Sequence, residues 1–259
     1  MEKIFFGSNL KMYKTAGETA AYLKRLQELT SDLDRERVQL FILPSYTALE
    51  RAAKTVDQTM VRVGAQNMSW AEEGQFTGEI SARMLEEFGL SLSMVGHSER
   101  RHTFLETDEE EGKKVAFGIS RGFTMLLCVG ETAEEKDSGI GREILRKQLI
   151  LGCRDVKPED TDKLWIAYEP VWSIGVNGTP ASAEYAEEIH GVIRDCLSEL
   201  FPGRSERIPV LYGGSVNPGN AVELITKPSI DGLFVGRSAW DADKFNSLIR
   251  DALKALGEI

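Results

Sequence analysis

Short runs of β-branched and aromatic residues alternate along the chain with longer stretches of helical periodicity. The runs KIFFGSNL (3–10), VQLFIL (38–43), MVRVGAQ (60–66), LSMVGHS (92–98), FTMLLCVG (123–130), LWIAYEP (164–170), IPVLYGG (208–214) and IDGLFVG (230–236) each predict a strand. They are apolar on both faces, as parallel strands covered by helices should be. Between them, TAGETAAYLKRLQEL brings Tyr22, Leu23, Leu26 and Leu29 close to one face. SAEYAEEIHGVIRDCLSEL does the same with Ile189, Val192, Ile193, Cys196, Leu197 and Leu200. About eight strand-then-helix units over roughly 250 residues predict an α/β chain folded as a (β/α)8 barrel. No linker or composition shift divides it, so residues 1–259 are read as one domain. A doubly wound open sheet is the structural alternative, and it usually needs fewer units.

Composition narrows the partners. A hydrophobic content of 42% is ample for a core, which sets disorder aside. The formal net charge is −10 with no basic block, which argues against nucleic acid or an anionic membrane as partner. An anionic substrate remains open if local donors hold it. Cys128, Cys153 and Cys196 are widely spaced and form no C-x-x-C, which suits a reduced, cytoplasmic protein. The start, MEKIFFGSNLKMYK, lacks the long apolar region of a signal peptide.

Polar residues collect where the strands end. Asn9 and Lys11 end the first, His97, Ser98 and Glu99 the fourth, Glu131 the fifth and Glu169 the sixth. YGGS (212–215) ends the seventh and VGRS (235–238) the eighth. In a parallel barrel these ends share one rim, where such folds carry their sites. Two glycine-bearing loops at consecutive strand ends let backbone N–H groups approach an anion, and loops after strands seven and eight are the usual phosphate site.

Glu169 leaves an apolar run and has no basic neighbour in sequence. A carboxylate sealed from water is a stronger base toward carbon; the plainer alternative is a salt bridge on the rim. His97 offers a neutral hydrogen-bond donor and Lys11 a positive charge. His102 and His190 are read as structural. A base, a donor, a cation and a phosphate cradle suit one reaction class. The base takes a proton from carbon beside a carbonyl, His97 and Lys11 stabilise the enediolate, and the proton returns to the adjacent carbon. That chemistry needs no metal and no organic cofactor. Glycine and asparagine in the segment after Glu169, between Pro170-Val171-Trp172 and Pro180, predict a lid with stiff hinges.

The pieces NLKM, AQNMSW, GQFTGEIS, VGHSERR, CVGET, AYEPVWSIG, YGGSVNPGN and DGLFVG occur in order across nearly the whole chain. Together they resemble the triosephosphate isomerase family, a standard example of a carboxylate base and neutral imidazole beneath a closing loop. The resemblance implies Lys11 as electrostatic stabiliser, His97 as electrophile and Glu169 as shuttling base. It implies Asn9 and Glu99 as supporting residues, and backbone groups of Gly175, Ser215, Gly236 and Arg237 as phosphate holders. It also implies interconversion of dihydroxyacetone phosphate and D-glyceraldehyde 3-phosphate in glycolysis and gluconeogenesis. A homodimer is expected too, with the loop Gln75-Phe76-Thr77-Gly78 entering the partner near Lys11.

Departures from the family pattern gather near the site. Asn9-Leu10-Lys11 stands where Asn-Trp-Lys is usual. The lid reads Ile174-Gly175-Val176-Asn177-Gly178, without the usual lysine and with Pro180 in the hinge. Arg237 replaces a second glycine, so either the loop is reshaped or that position never needed positive φ. Its guanidinium either contacts the phosphate or faces solvent. These changes resemble the branch that isomerises erythrulose phosphates, and L-erythrulose 1-phosphate is the alternative substrate. Leucine at position 10 is expected to free space for its extra hydroxymethyl group.

Overall fold

The computed structural model of the chain describes residues 3–174 and 178–259. Its strands are β1 (Ile4–Asn9), β2 (Val38–Leu43), β3 (Arg62–Val63), β4 (Leu92–Val95), β5 (Thr124–Val129), β6 (Leu164–Tyr168), β7 (Val210–Tyr212) and β8 (Gly232–Phe234). They form one parallel sheet in the order β3-β2-β1-β8-β7-β6-β5-β4. Its two ends meet. The Ala65 N–H donates to Leu92 O and the Met94 N–H to Ala65 O, both at 2.9 Å, a parallel bridge that closes the ring. The fold is therefore the predicted barrel, and the doubly wound alternative is set aside.

Helices wrap the ring: α1 (Ala16–Leu29), α2 (Tyr46–Thr55), α3 (Ala82–Glu86), α4 (Ser98–His102), α5 (Asp108–Ser120), α6 (Ala133–Asp137), α7 (Gly141–Gly152), α8 (Ala183–Leu200), α9 (Ala221–Ile225) and α10 (Ala242–Ala255). Three starts are fixed by the same local chemistry. Thr15 with Glu18, Thr107 with Glu110 and Thr132 with Glu135 form reciprocal capping boxes that satisfy backbone donors left free by a helix start. Among the described residues no helix is long and apolar enough to cross a membrane.

Alternation along the strands sorts side chains into two cores. Those pointing out meet the helices, as Leu23 and Leu26 of α1 meet Phe6 and Leu40. Those pointing in fill the barrel, where Phe41 stacks on Phe234 at 5.7 Å and meets the tilted ring of Trp165 at 5.5 Å. Arg62 lies beneath this layer, its guanidinium 5.5 Å from the Trp165 ring, donating to Ser91 O and Thr124 Oγ1. Burial pushes its pKa down to about 10. The aromatic floor confines polar chemistry to the opposite, C-terminal mouth.

An ionic cluster is buried behind β3 and β4. Lys114 pairs with Glu106 at 2.8 Å and reaches Glu111 at 3.4 Å, while Arg100 also holds Glu106. Lys114 and Glu111 are 1% and 0% exposed. Burial pushes Glu111 up to about 8, since Lys114 mainly serves Glu106. Burial would also raise Glu106, but hydrogen bonds from Arg100, Glu111 and Lys114 outweigh it and hold Glu106 down at about 2. From about pH 4.5 to 8 the folded chain keeps a proton on Glu111 that the unfolded chain has lost, so this group's contribution to stability falls as pH rises. Glu106 acts oppositely, its contribution being lost as pH drops from about 4.5 toward 2. Glu111→Gln should therefore raise Tm at about pH 8.5 and change it little at about pH 5. Thermal unfolding at both values checks this, and an equal shift at both would refute it.

Candidate active site

Period-two register carries functional side chains onto the inward face. Along β1 the inner positions run from Phe5 through Gly7 to Asn9, and along β6 from Trp165 through Ala167 to Glu169. Asn9 is 6% and Glu169 3% exposed. Leu10 lies one position out of this register. It is buried in the outer core, so leucine in place of the usual tryptophan does not open the pocket, contrary to the sequence expectation. Beside the end of β1, Trp240 donates its indole N–H to Asn9 O at 3.0 Å and packs against Tyr13, their rings 4.2 Å apart.

Lys11 is a non-glycine residue at φ 50°, a conformation that persists only when its surroundings impose it. Asn9 Oδ1 accepts the Lys11 N–H at 2.8 Å. Gln66 Nε2 donates to Lys11 O at 2.9 Å and to Leu43 O at 3.0 Å. The sequence reading did not single out Gln66. The Lys11 ammonium then pairs with Glu99 Oε1 at 2.6 Å, which places Glu99 beside the site as expected.

His97 follows Gly96, whose φ of 73° turns the chain out of β4. Arg101 braces that turn by donating to Gly96 O at 2.7 Å and Cys128 O at 3.0 Å, and it pairs with Asp108. His97 is the N-cap of α4, and its Nδ1 accepts the Glu99 N–H at 3.1 Å. An accepting Nδ1 has no proton, so this hydrogen bond assigns the neutral ring's proton to Nε2. That nitrogen lies 3.4 Å from Glu169 Oε1. Both side chains are nearly buried, at 4% and 3% exposed.

Glu169 is held at both ends. Its N–H donates to Val129 O at 2.7 Å, and Oε2 accepts the Ser98 N–H at 3.2 Å. A Cβ on Gly213 would stand 3.0 Å from Glu169 Cγ, so the first glycine of YGGS gives the carboxylate its room. The structure thus brings Asn9, Lys11, His97, Glu99 and Glu169 together at one mouth.

Across that mouth the N–H groups of Gly214, Ser215, Gly236, Arg237 and Ser238 make no hydrogen bond among the described residues. Arg237 opens a 3-10 turn, Arg237–Ala239, and is not at positive φ, so this loop does not need glycine there. Its side chain is exposed. Gly175, the remaining phosphate holder expected from the sequence, lies outside the described residues, as do Val176 and Asn177.

One cluster was not legible in the sequence. Glu131 is fully buried, and its Oε1 accepts from Tyr168 at 2.9 Å, Trp172 Nε1 at 2.8 Å and Tyr185 at 3.0 Å. Burial, with the Glu131 charge, pushes both phenols up, so they remain donors. This ties the 3-10 turn Val171–Ser173 to the first turn of α8. The available signal was an acid ending β5 opposite an aromatic-rich segment after β6. His190 is buried against Ser229 O, with burial pushing it down to about 3, and His102 is exposed at the end of α4. Among the described residues no three His, Cys, Asp or Glu side chains are grouped to hold a metal ion.

A closed parallel barrel with these groups at its C-terminal mouth defines an enzyme of the sugar-phosphate isomerase class. A family model described as triosephosphate isomerase matches residues 4–252, and the chain belongs to that family. It is 46% identical over 248 residues to the L-erythrulose-1-phosphate isomerase of Rhizobium etli, covering 95% of this chain and 91% of the relative. It is 40% identical over 254 residues to the enzyme of that name from Brucella abortus, covering 96% of each chain. It is 38% identical over 251 residues to the triosephosphate isomerase of Dictyoglomus thermophilum, covering 96% of this chain and all of the relative.

Proposed function

We propose that the chain isomerises a phosphorylated four-carbon ketose, L-erythrulose 1-phosphate, by proton transfer between its two central carbons. The observation that carries the chemistry is the buried pair of Glu169 and His97, 3.4 Å apart, with the imidazole proton on the nitrogen that faces the carboxylate. Glu169 leaves the Ser98 N–H and removes the hydrogen on carbon 3. Electrons move into an enediolate across carbons 2 and 3, whose oxygens take hydrogen bonds from His97 Nε2 and charge from Lys11. Glu169 returns the proton to carbon 2, and the hydroxyl proton passes between the oxygens. Because carbon 3 carries a hydroxymethyl group, the product is again a ketose.

The N–H groups of Ser215, Gly236 and Arg237, which make no hydrogen bond among the described residues, support a phosphate grip there. Asn9 and Glu99 support Lys11, and Gly175 completes the grip by family resemblance. The tetrulose reading rests on the names of the Rhizobium etli and Brucella abortus relatives and on the altered positions 237 and 174–180. Interconversion of dihydroxyacetone phosphate and D-glyceraldehyde 3-phosphate, the leading reading of the sequence, becomes the second, favoured by the Dictyoglomus relative.

Side-by-side kinetics decide between them. A kcat/KM at least about tenfold higher on L-erythrulose 1-phosphate, about 1.4 kcal/mol of transition-state preference, is expected. A higher value on glyceraldehyde 3-phosphate would restore the triose reading.

We read the whole chain as one catalytic domain working as a cytoplasmic homodimer. Met12, Phe76, Phe104 and Leu105 are all exposed, 94% for Met12, and a second copy would cover exposed apolar side chains of this kind. Sedimentation at the mass of one chain would contradict the dimer.

A further inference from the structure

We propose that the Arg237 guanidinium is a phosphate-binding group that closes on the phosphate of the bound sugar and supplies charge that the backbone cradle lacks. This deepens the reading above and rests on it. Charge at the mouth is short of what a phosphate dianion needs. Lys11 is paired with Glu99, Glu169 adds a second carboxylate, and the chain carries a formal −10. Backbone N–H groups contribute only partial charge. The other arginines near the mouth, Arg100 and Arg101, are held by Glu106 and Asp108. Arg237 has no carboxylate partner and no hydrogen-bonded side-chain atom among the described residues.

Its position is fixed although its side chain has no partner among the described residues. The turn it opens is tied down by Tyr22, whose hydroxyl donates to Ala239 O at 2.7 Å. It is also tied by the Trp240 indole on Asn9 O at 3.0 Å. Position 237 is therefore anchored relative to Asn9 and Lys11, and its Cα sits within the run of unbonded N–H groups. A guanidinium there can take two phosphate oxygens at once, which an N–H cannot. The geometry points to a site that favours phosphate dianions, with Lys11 serving the carbonyl end and Arg237 the phosphate end.

The test compares wild type with Arg237→Ala and Arg237→Lys in two readouts. The first is binding of inorganic phosphate, read as a concentration-dependent rise in Tm. The second is kcat and KM on L-erythrulose 1-phosphate and D-glyceraldehyde 3-phosphate at two ionic strengths. Arg237→Ala should weaken phosphate binding and raise KM by about tenfold, with the loss on KM rather than kcat. Arg237→Lys should recover part of it, and KM of Arg237→Ala should respond less to salt. Wild-type phosphate affinity and wild-type KM in Arg237→Ala would overturn the proposal. If the wild type turns over neither sugar, the functional reading falls, while the phosphate titration still decides the role of Arg237.

Discussion

Glu169→Gln is expected to lower kcat on the preferred sugar phosphate by roughly three orders of magnitude while KM changes little. The amide keeps the shape of the side chain and can still lie against the Ser98 N–H, which Glu169 Oε2 now accepts at 3.2 Å. What it loses is the ability to take a proton, and a positioned acid–base group is worth about 10²–10⁴ in rate. Glu169→Asp keeps the chemistry but withdraws the carboxylate by one methylene. It should lose less, again in kcat, because a misplacement of about 1 Å can cost about a hundredfold. Steady-state kinetics on both variants provide the check; wild-type kcat in Glu169→Gln would remove this residue from the mechanism.

The second large effect is expected at His97. His97→Asn should cost about 10²–10³ in kcat, some 3–4 kcal/mol, the usual loss for one preorganised donor. Asparagine is a good N-cap, so it can still accept the Glu99 N–H that His97 Nδ1 now accepts at 3.1 Å. The loop into α4 is therefore preserved, and the donor facing Glu169 is withdrawn. Unchanged kcat in a folded His97→Asn would show that the imidazole only caps the helix.

Much of this site could be read before any coordinates, and for a physical reason. Strand alternation is a local property. Once LWIAYEP is read as a strand with Trp165 and Ala167 inside, Glu169 must also face the barrel axis. The same rule, followed one residue further along β1, would have placed Leu10 outside. The expectation of extra room at position 10 fails because Leu10, adjacent in sequence to Asn9 and Lys11, points into the outer core instead of the mouth.

What stayed hidden depends on contacts between distant segments. Glu131 gathers Tyr168, Trp172 and Tyr185 from three places in the chain, and no local pattern announces that. Gln66 reaching Lys11 O spans the gap from β3 to the end of β1. How thin the closure of the predicted ring is was also invisible, since β3 contributes only Arg62 and Val63 to the ladder and a bridge at Ala65 completes it. Arg237 shows the converse. Its departure from the family's glycine was plain in the sequence, but only the backbone shows that the position is helical and tolerates a side chain.

The most direct measurement is proton NMR of L-erythrulose 1-phosphate turnover in D2O by the wild-type enzyme. A carboxylate that lifts a proton from carbon 3 holds it as an exchangeable acid before returning it. The account therefore predicts product carrying deuterium on the carbon next to the phosphate-bearing one in at least part of the turnovers. Product that keeps the original hydrogen in every molecule, or no product at all, would contradict it.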